Sequence, residues 1–119
     1  ENIKKYSMKT KIIHFPRGSK KRYVDFIKEV NCDVISLDES ADTKLMKITQ
    51  EKNITIQGNL SPIVMLNGGN ELKQNVIKVL EKFKESNHIF NLSHGILPQT
   101  PIQNVEKTIE IVRNYEVTK

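Results

Sequence analysis

Four short apolar runs, each followed by a polar break and a stretch of helical periodicity, constrain the fold of this chain most. The runs are rich in β-branched residues and five to seven residues long, which is typical of buried strands. They are KIIHF (11–15), DVISL (33–37), ITIQGNL (54–60) and HIFNLS (88–93). Strands that alternate with helices predict parallel pairing through right-handed crossovers, and apolar runs predict burial on both faces of the sheet. We therefore predict an α/β fold of four βα units.

The stretches that follow the runs predict four helices, which cover 19–30, about 42–52, 70–84 and the residues from 101 onward. Ser19 and Asn70 are the expected N-caps of the first and third helices. The last helix carries a capping box that begins at Thr100, with Pro101 at the first helical position.

The start of the chain indicates a piece of a longer protein. The sequence opens at Glu1, and Ile3 and Tyr6 follow at helical spacing with no cap before them. We expect that a helix is already under way at residue 1. Residues 1–119 then form a single partial domain, since 119 residues suffice for one modest core but not for two.

Polar residues with chemical potential follow each of the four runs. They are PRGS (16–19), DES (38–40), GNLSP (58–62) and SHG (93–95). In parallel α/β folds the ligand site lies beyond the carboxyl ends of the strands. The sequence therefore predicts one concave polar site along this rim of the sheet.

Composition excludes several classes of protein. No apolar run approaches the roughly 20 residues that span a bilayer, and no signal peptide opens the chain, so we expect a cytosolic protein without membrane contact. Cys32 is the single cysteine, and no Cys/His cluster has metal-ligand spacing, so we expect neither a disulfide nor a metal. The net charge is +5. Because Lys and Arg alternate with Asp and Glu along the helices, we interpret them as solvated faces and expect no nucleic-acid partner.

The charged residues of the rim allow more than one interpretation. Residues 17–22 (RGSKKR) lie at a helix start, which offers free N–H groups to an anion, but they match no Walker or Gly-x-Gly-x-x-Gly pattern. We favour a solvated helix start over a contact with carboxylate or phosphate. Asp38 and Glu39 are adjacent, so we expect their side chains to diverge and to cap the following helix.

Ser93 and His94 look like a nucleophile beside its base, but we reject this hydrolase interpretation. Neighbours in a strand point to opposite faces, and no Gly-x-Ser-x-Gly elbow surrounds them. Ser93 is expected to point elsewhere. His94, before a Gly95 that tolerates unusual dihedral angles, either meets a ligand or is a loop histidine bonded to the backbone. His14 and His88 are interpreted as structural.

Two motifs and the helix between them resemble the uroporphyrinogen decarboxylase family. The motifs are IQGNLSP (56–62) and IFNLSHGILPQTP (89–101), preceded by DVISLD (33–38); the usual family forms read QGNLDP and NLGHGI-P-TP. Order, spacing and helix placement match over nearly the whole chain, and the Asn-Val pair at 104–105 is also typical. The resemblance is to the C-terminal half of the family's proteins.

This resemblance implies the C-terminal half of a (β/α)8 TIM barrel and a carboxy-lyase of haem and porphyrin biosynthesis that uses neither cofactor nor metal. Such an enzyme removes the carboxyl groups of the four acetate side chains of uroporphyrinogen III and gives coproporphyrinogen III. The site has to stabilise a protonated pyrrole and hold a polycarboxylate. The family is typically a cytosolic homodimer, and the exposed edges of a half-barrel predict self-association.

The resemblance also assigns one site residue. The histidine of the family's Gly-His-Gly motif lies in the substrate cleft and corresponds to His94, which is expected to contact a substrate carboxylate or pyrrole edge. Ser61 and Ser93 depart from the family pattern, replacing an Asp and the first Gly. The family's other site residues belong upstream of the matching segment, so no catalytic residue is assigned and the chain alone is expected to be inactive.

Two other functions remain open at this point. One is a non-catalytic half-barrel that serves in binding or assembly. The other is a relative of the corrinoid-linked methyltransferases, which is disfavoured because the chain has no Cys-x-Cys or clustered His ligands.

Overall fold

The computed structural model describes residues 9–116, so the predicted helix around Ile3 and Tyr6 lies outside the described residues. Within this range four strands alternate with five α-helices. The strands are β1 (Ile13–His14), β2 (Val34–Ser36), β3 (Thr55–Gln57) and β4 (His88–Ile89). The helices are α1 (Tyr23–Glu29), α2 (Leu45–Glu51), α3 (Pro62–Asn67), α4 (Gly69–Lys82) and α5 (Ile102–Asn114), and a 3-10 turn (Lys20–Arg22) precedes α1.

The four strands form one parallel sheet in chain order. Ile13 lies opposite Val34, Val34 opposite Thr55, and Ile56 opposite His88. Parallel neighbours that follow each other along the chain require a crossover between them, which the helices provide. The predicted α/β class with four parallel strands is confirmed, and the sheet is compatible with part of a TIM barrel.

The regular strands are shorter than the apolar runs that predicted them. Pairing nevertheless continues past the ends of β3 and β4, where Leu60 and Leu92 form a parallel bridge. The Ser93 amide donates to the Leu60 carbonyl at 2.8 Å. The long runs 54–60 and 88–93 therefore correspond to one extended zone of contact.

Two clusters of buried side chains stabilise the sheet and its helices. The first joins α1 and α2 to β2 and β3, and contains Tyr23, Ile27, Ile35, Leu37, Leu45, Ile54, Ile56 and Phe83. The second joins α3 and α4 to the segment after β3, and contains Leu60, Met65, Leu72 and Val76. Together they cover the inner strands and position the loops at the strands' carboxyl ends.

The predicted burial on both faces is only partly observed: one face of the inner strands is fully buried, the other carries half-buried side chains such as Thr55, and the edge strands are more exposed. Ile35 of β2 and Ile56 of β3 are fully buried, whereas Ile13 of β1 is 52% exposed and Ile89 of β4 is 43% exposed. Each edge strand lacks a neighbouring strand on one side within the described residues. Apolar surface therefore lies open at both edges of the sheet.

The predicted N-caps of the first and third helices are wrong in detail. The Ser19 hydroxyl donates to the Pro16 carbonyl at 2.5 Å and caps no backbone amide, because a 3-10 turn intervenes before α1. Asn70 lies inside α4, which begins at Gly69, and Gly68 occupies the N-cap position with φ of 67°. Glycine adopts this conformation at little cost, and that advantage outweighs the capping preference of asparagine.

The predicted capping box of the last helix is also wrong. The Thr100 hydroxyl is buried without a hydrogen-bond partner among the described residues. Pro101 itself takes the extended N-cap conformation, with ψ of 135°, and α5 begins at Ile102. The proline therefore stands one position earlier than the sequence pattern indicated.

Helix α3 was missed by the sequence prediction. Ser61 is its N-cap and accepts a hydrogen bond from the Ile63 amide at 3.3 Å, and Pro62 occupies the first helical position. At the other end of the helix, the side-chain amide of Asn104 donates to the carbonyls of Met65 at 2.9 Å and Leu66 at 3.1 Å. Ser61, which departs from the family's usual Asp, thus keeps the capping role that either residue type can perform.

No helix among residues 9–116 combines the length and apolar character needed to cross a membrane.

Candidate functional site

Asp38 is the centre of a hydrogen-bond network at the carboxyl ends of the strands. It follows β2, and its carboxylate is buried. The carboxylate accepts from the Gly18 amide at 2.5 Å and from the Ser40 amide at 2.9 Å. The first contact joins the loop after β1 to the loop after β2, so Asp38 fixes the relative position of two strand ends.

Tyr23 of α1 also contacts Asp38, because its hydroxyl accepts a hydrogen bond from the Asp38 backbone amide at 3.2 Å. Burial raises the pKa of Tyr23 to about 12, and the Asp38 carboxylate adds to this shift. Burial would also raise the pKa of Asp38, but donors from Ser40, Gly18 and Tyr23 outweigh it and lower the pKa below its usual value. Asp38 is therefore a buried, ionised carboxylate, and Tyr23 stays neutral.

The end of β3 contributes Asn59 to the same network. Its side-chain amide is buried and donates to the Asp38 carbonyl at 3.0 Å. Gly58 precedes it with φ of 124°, and a Cβ at this position would come within 2.6 Å of the Leu37 carbonyl oxygen. The close approach of the two backbones requires glycine here, and it brings Asn59 against the end of β2.

The end of β4 contributes Ser93 and His94, and both contact Glu39. Ser93 is 1% exposed, and its hydroxyl donates to Glu39 Oε1 at 2.5 Å. Nε2 of His94 lies 3.8 Å from the same carboxylate oxygen. The side chain of His94 is 25% exposed and that of Glu39 is 47% exposed, so this part of the network faces solvent.

We define the rim site by the residues that these contacts connect: Gly18, Asp38, Glu39, Asn59, Ser93 and His94. They come from the carboxyl ends of all four strands. The polar residues therefore gather along one rim of the sheet, as the sequence predicted. Whether His94 binds substrate stays a prediction.

Three expectations about individual rim residues are wrong. Ser93 does not point away from His94, since both reach the Glu39 carboxylate. Neither acid caps the next helix, because α2 begins only at Leu45, after a turn in which Asp42 accepts from the Lys44 amide. The reason is that the loop after β2 is long enough to fold back over the strand ends before the helix begins.

The role expected of Gly95 is also not observed. Its φ lies outside the left-handed region, and a Cβ there would meet nothing within 4 Å. The turn after His94 therefore needs no glycine, and the conformational requirement lies instead at Gly58.

The basic stretch lines an open depression of about 870 Å³ next to the rim site. Its walls are residues 17–22 with Ser40 and Asp42, and we call it the basic depression. Gly18 belongs to both features, and the Ser40 hydroxyl of the depression donates to Asp38 of the rim site at 2.5 Å. Four cationic side chains therefore lie beside the end of β1 with one acidic residue, Asp42, among them.

The other two histidines occupy packed positions. His14 lies edge-on against Phe26, with ring centroids 5.6 Å apart. His88 packs against Phe83, and its Nε2 lies 2.6 Å from the Gly58 carbonyl oxygen. Burial lowers the pKa of His88, although the Gly58 carbonyl opposes the shift. These contacts agree with the structural interpretation of both residues.

Sequence reasoning placed Glu39 and Asn59 on the rim but did not predict their contacts. Asn59 lies in the QGNL motif at the end of a predicted strand, which indicated its place but not its bond to Asp38. The contact of Glu39 with residues 93 and 94 joins positions more than 50 residues apart, so no local pattern indicated it. Among the described residues no group of three or more His, Cys, Asp or Glu is placed to hold a metal ion.

A parallel sheet with a buried acid, a buried amide and a partly exposed histidine at its strand ends defines an α/β protein whose polar groups gather at the rim where proteins of this architecture carry their ligand sites. The family model for uroporphyrinogen decarboxylase matches residues 1–115. The chain belongs to the uroporphyrinogen decarboxylase family.

Curated relatives agree with this assignment. The chain is 46% identical over 114 residues to a protein from Rickettsia africae (strain ESF-5) and 45% identical over 114 residues to one from Rickettsia rickettsii (strain Sheila Smith), which cover 96% of this chain and 33% of each relative. It is 40% identical over 116 residues to one from Rickettsia bellii (strain RML369-C), covering 98% of this chain and 34% of the relative. All three are named uroporphyrinogen decarboxylase. The chain thus spans about a third of the length of these relatives, and their names do not favour the assembly-module or methyltransferase alternatives.

Proposed function

We propose that this chain forms part of the substrate site of a uroporphyrinogen decarboxylase. In this reaction each acetate side chain of uroporphyrinogen III loses its carboxyl group as CO₂ and gains a proton, which leaves a methyl group and gives coproporphyrinogen III. Family membership and the names of the relatives support this proposal. We keep a cytosolic location as a prediction of the same resemblance.

The observation that carries the proposal is the position of His94. The ring follows β4 at the rim, partly exposed, beside a network that ties down the neighbouring strand ends. A fixed yet accessible imidazole can donate hydrogen bonds to a carboxylate, and it carries a positive charge when both nitrogens are protonated. His94 would therefore hold a substrate carboxylate or approach a pyrrole edge.

The reaction needs no cofactor as an electron sink, because the substrate supplies its own. Once a pyrrole is protonated at carbon, it accepts the electron pair that the departing CO₂ leaves behind. The protein then has to bind a polycarboxylate in a fixed orientation and stabilise the cationic ring. We propose that no cofactor or metal takes part.

The basic depression offers a second contact for the same substrate. It lies beside the rim site, because Gly18 belongs to both and Ser40 of the depression bonds to Asp38 of the rim site. A polycarboxylate that reaches His94 with one side chain could place another against Arg17 or Lys21. The anion-contact interpretation of residues 17–22 thereby gains support over a purely solvated helix start.

The open edges of the sheet support a larger assembly. Ile13 and Phe15 at the β1 edge and Ile89 at the β4 edge are exposed apolar side chains. A closed (β/α)8 barrel needs about 250 residues, and the relatives are about three times as long as the matched segment. We propose that this chain forms the C-terminal part of such a barrel, and that alone it self-associates through these edges.

The test is reconstitution of activity. This chain is mixed under nitrogen with the part of the Rickettsia africae relative that it does not match, and coproporphyrinogen III is measured by chromatography after oxidation. We expect product from the mixture and little or none from either part alone. No product, with both parts folded and associated, would contradict the decarboxylase proposal.

The role of His94 is tested in the same mixture with His94→Ala. Loss of a hydrogen bond to a charged group corresponds to a decrease of about tenfold or more in kcat/KM. Gln99→Ala changes an exposed residue of the same loop and serves as the control. Circular dichroism should show both variants folded, since a rim residue makes few core contacts. Equal kcat/KM values for the two variants would show that His94 is an ordinary loop residue.

A further inference from the structure

We propose that Glu39 is a positioning residue, held by the Ser93 hydroxyl, which turns the His94 ring so that Nδ1 is the nitrogen that meets the ligand. This inference rests on the proposed function for the identity of the ligand, a polycarboxylate. The positioning itself rests on the contacts of three side chains.

The first step is that Ser93 fixes Glu39. A buried hydroxyl needs an acceptor, and the acceptor of Ser93 Oγ is Glu39 Oε1 at 2.5 Å. Glu39 is otherwise a half-exposed side chain with freedom to rotate. The backbone of Ser93 is itself held, because its amide donates to the Leu60 carbonyl. A rigid donor therefore selects one position for a flexible carboxylate.

The second step is that Glu39 fixes His94. Oε1 lies 3.8 Å from Nε2, which exceeds hydrogen-bond length but is close enough for an ion pair when the ring is protonated. Glu39 is the carboxylate that lies within 4.0 Å of a ring nitrogen of His94 among residues 9–116. The carboxylate attracts a proton on Nε2, so the ring is expected to carry its hydrogen there when neutral.

The third step concerns the other nitrogen. Nδ1 of His94 has no hydrogen-bond partner among the described residues. In the imidazolium form both nitrogens donate, so Nε2–H can point to Glu39 while Nδ1–H points to a carboxylate of the ligand. The protein carboxylate would then balance the ring's charge and define the direction of the free donor.

A bystander carboxylate would have the opposite effect on binding, which makes the proposal testable. Glu39 carries a negative charge near the proposed site of a polyanion. If it only repelled the ligand, Glu39→Gln would tighten binding and Ser93→Ala would change nothing. If it positions His94, both substitutions weaken binding. The sign of the change separates the two roles.

The first experiment is NMR of the three imidazole rings in this chain, labelled with nitrogen-15. In the unsubstituted protein with its imidazole rings neutral, we expect His94 in a single tautomer with hydrogen on Nε2. Glu39→Gln and Ser93→Ala should each give a mixture of tautomers. His88 serves as an internal control, because its Nε2 contacts the Gly58 carbonyl instead. Glu29→Gln removes the same charge from an exposed position on α1 and should change none of the rings.

The second experiment is calorimetric titration with uroporphyrinogen III under nitrogen. We expect about three- to tenfold weaker binding for Glu39→Gln and for Ser93→Ala, with the double variant close to either single variant because the two act in one chain of contacts. Tighter binding by Glu39→Gln, or one unchanged tautomer in both variants, would overturn the positioning role. If Ser93→Ala does not fold, Glu39→Gln at its half-exposed position decides the result alone. A protein that holds one His94 tautomer through Glu39 but binds no uroporphyrinogen III, even when mixed with the part of the Rickettsia africae relative that it does not match, would contradict the proposed function and the ligand role of Nδ1, while supporting the positioning.

Discussion

The Asp38 carboxylate accepts a hydrogen bond from the Gly18 amide at 2.5 Å, which joins the ends of β1 and β2 across 20 residues of sequence. The donor is a backbone amide, so the contact depends on where the backbone of that loop lies. Asp38 also accepts from Ser40, and it is buried. The Asp38 carboxylate therefore helps to hold the loop that carries the basic depression to the sheet, together with the Lys20 amide, which donates to the Ser40 hydroxyl at 3.3 Å.

Asp38→Asn should destabilise the protein at neutral pH. The donors around Asp38 hold its pKa below the usual value even though burial alone would raise it, so its stabilising effect is present above about pH 4 and is lost as the pH falls through the lowered pKa. We expect a loss of about 1–3 kcal/mol in the free energy of unfolding at pH 7, and a smaller loss below pH 4. Urea unfolding at both pH values measures this.

Glu51→Gln is the control for that measurement, because it removes one negative charge from an exposed position at the end of α2. Its effect should stay within about 0.5 kcal/mol. A difference between Asp38→Asn and the unsubstituted protein that does not depend on pH would show that the carboxylate's charge is not what holds the loop.

Gly58→Ala should destabilise the protein much more than Gly95→Ala. At Gly58 the backbone φ is 124°, and a Cβ would come within 2.6 Å of the Leu37 carbonyl oxygen, whereas at Gly95 it would meet nothing within 4 Å. We expect a loss of about 2 kcal/mol or more at Gly58 and a change near zero at Gly95. Thermal unfolding compares the two variants directly. Similar melting temperatures would mean that β2 and β3 separate at little cost.

Asn104→Ala should loosen helix α3. The Asn104 side chain donates to the last carbonyl groups of that helix, which would otherwise lack partners inside the protein. We expect a loss of about 1–2 kcal/mol in the free energy of unfolding, with faster amide exchange in residues 62–67. Asn75→Ala is the matched control, since the Asn75 amide bonds only to Glu71 of its own helix. Equal losses in the two variants would exclude a specific role in α3.

The sequence predicted the parallel sheet and its rim, because the alternation of apolar runs and helical stripes depends on local periodicity. It failed where one residue's conformation decides a helix boundary. Pro101, and not Thr100, is the N-cap of α5, and Gly68, and not Asn70, is the N-cap of α4. Helix α3 was missed because its six residues are too short to show a stripe, although Ser61 and Pro62 mark its start.

The candidate site was predictable in its location but not in its contacts. Alternation in a strand placed Ser93 and His94 on opposite faces, but the pairing that continues past β4 ends at the Ser93 amide, so the alternation rule does not extend to His94. Their shared partner Glu39 lies 54 residues before Ser93 in sequence. Nothing local encodes this contact, because it depends on how the loops after β2 and β4, which flank β3, come together in the folded sheet.

The basic depression should contribute to ligand binding through charge. Arg17→Gln combined with Lys21→Gln removes two of the cations that line it, and we expect about three- to tenfold weaker binding of uroporphyrinogen III at low salt. The difference should shrink at about 0.5 M salt, because exposed charges are screened over a few ångströms there. Lys47→Gln with Lys78→Gln removes the same charge from exposed helix positions outside the depression and is the control in the same calorimetric titration. If both pairs weaken binding equally, only the net charge matters and residues 17–22 form a solvated helix start.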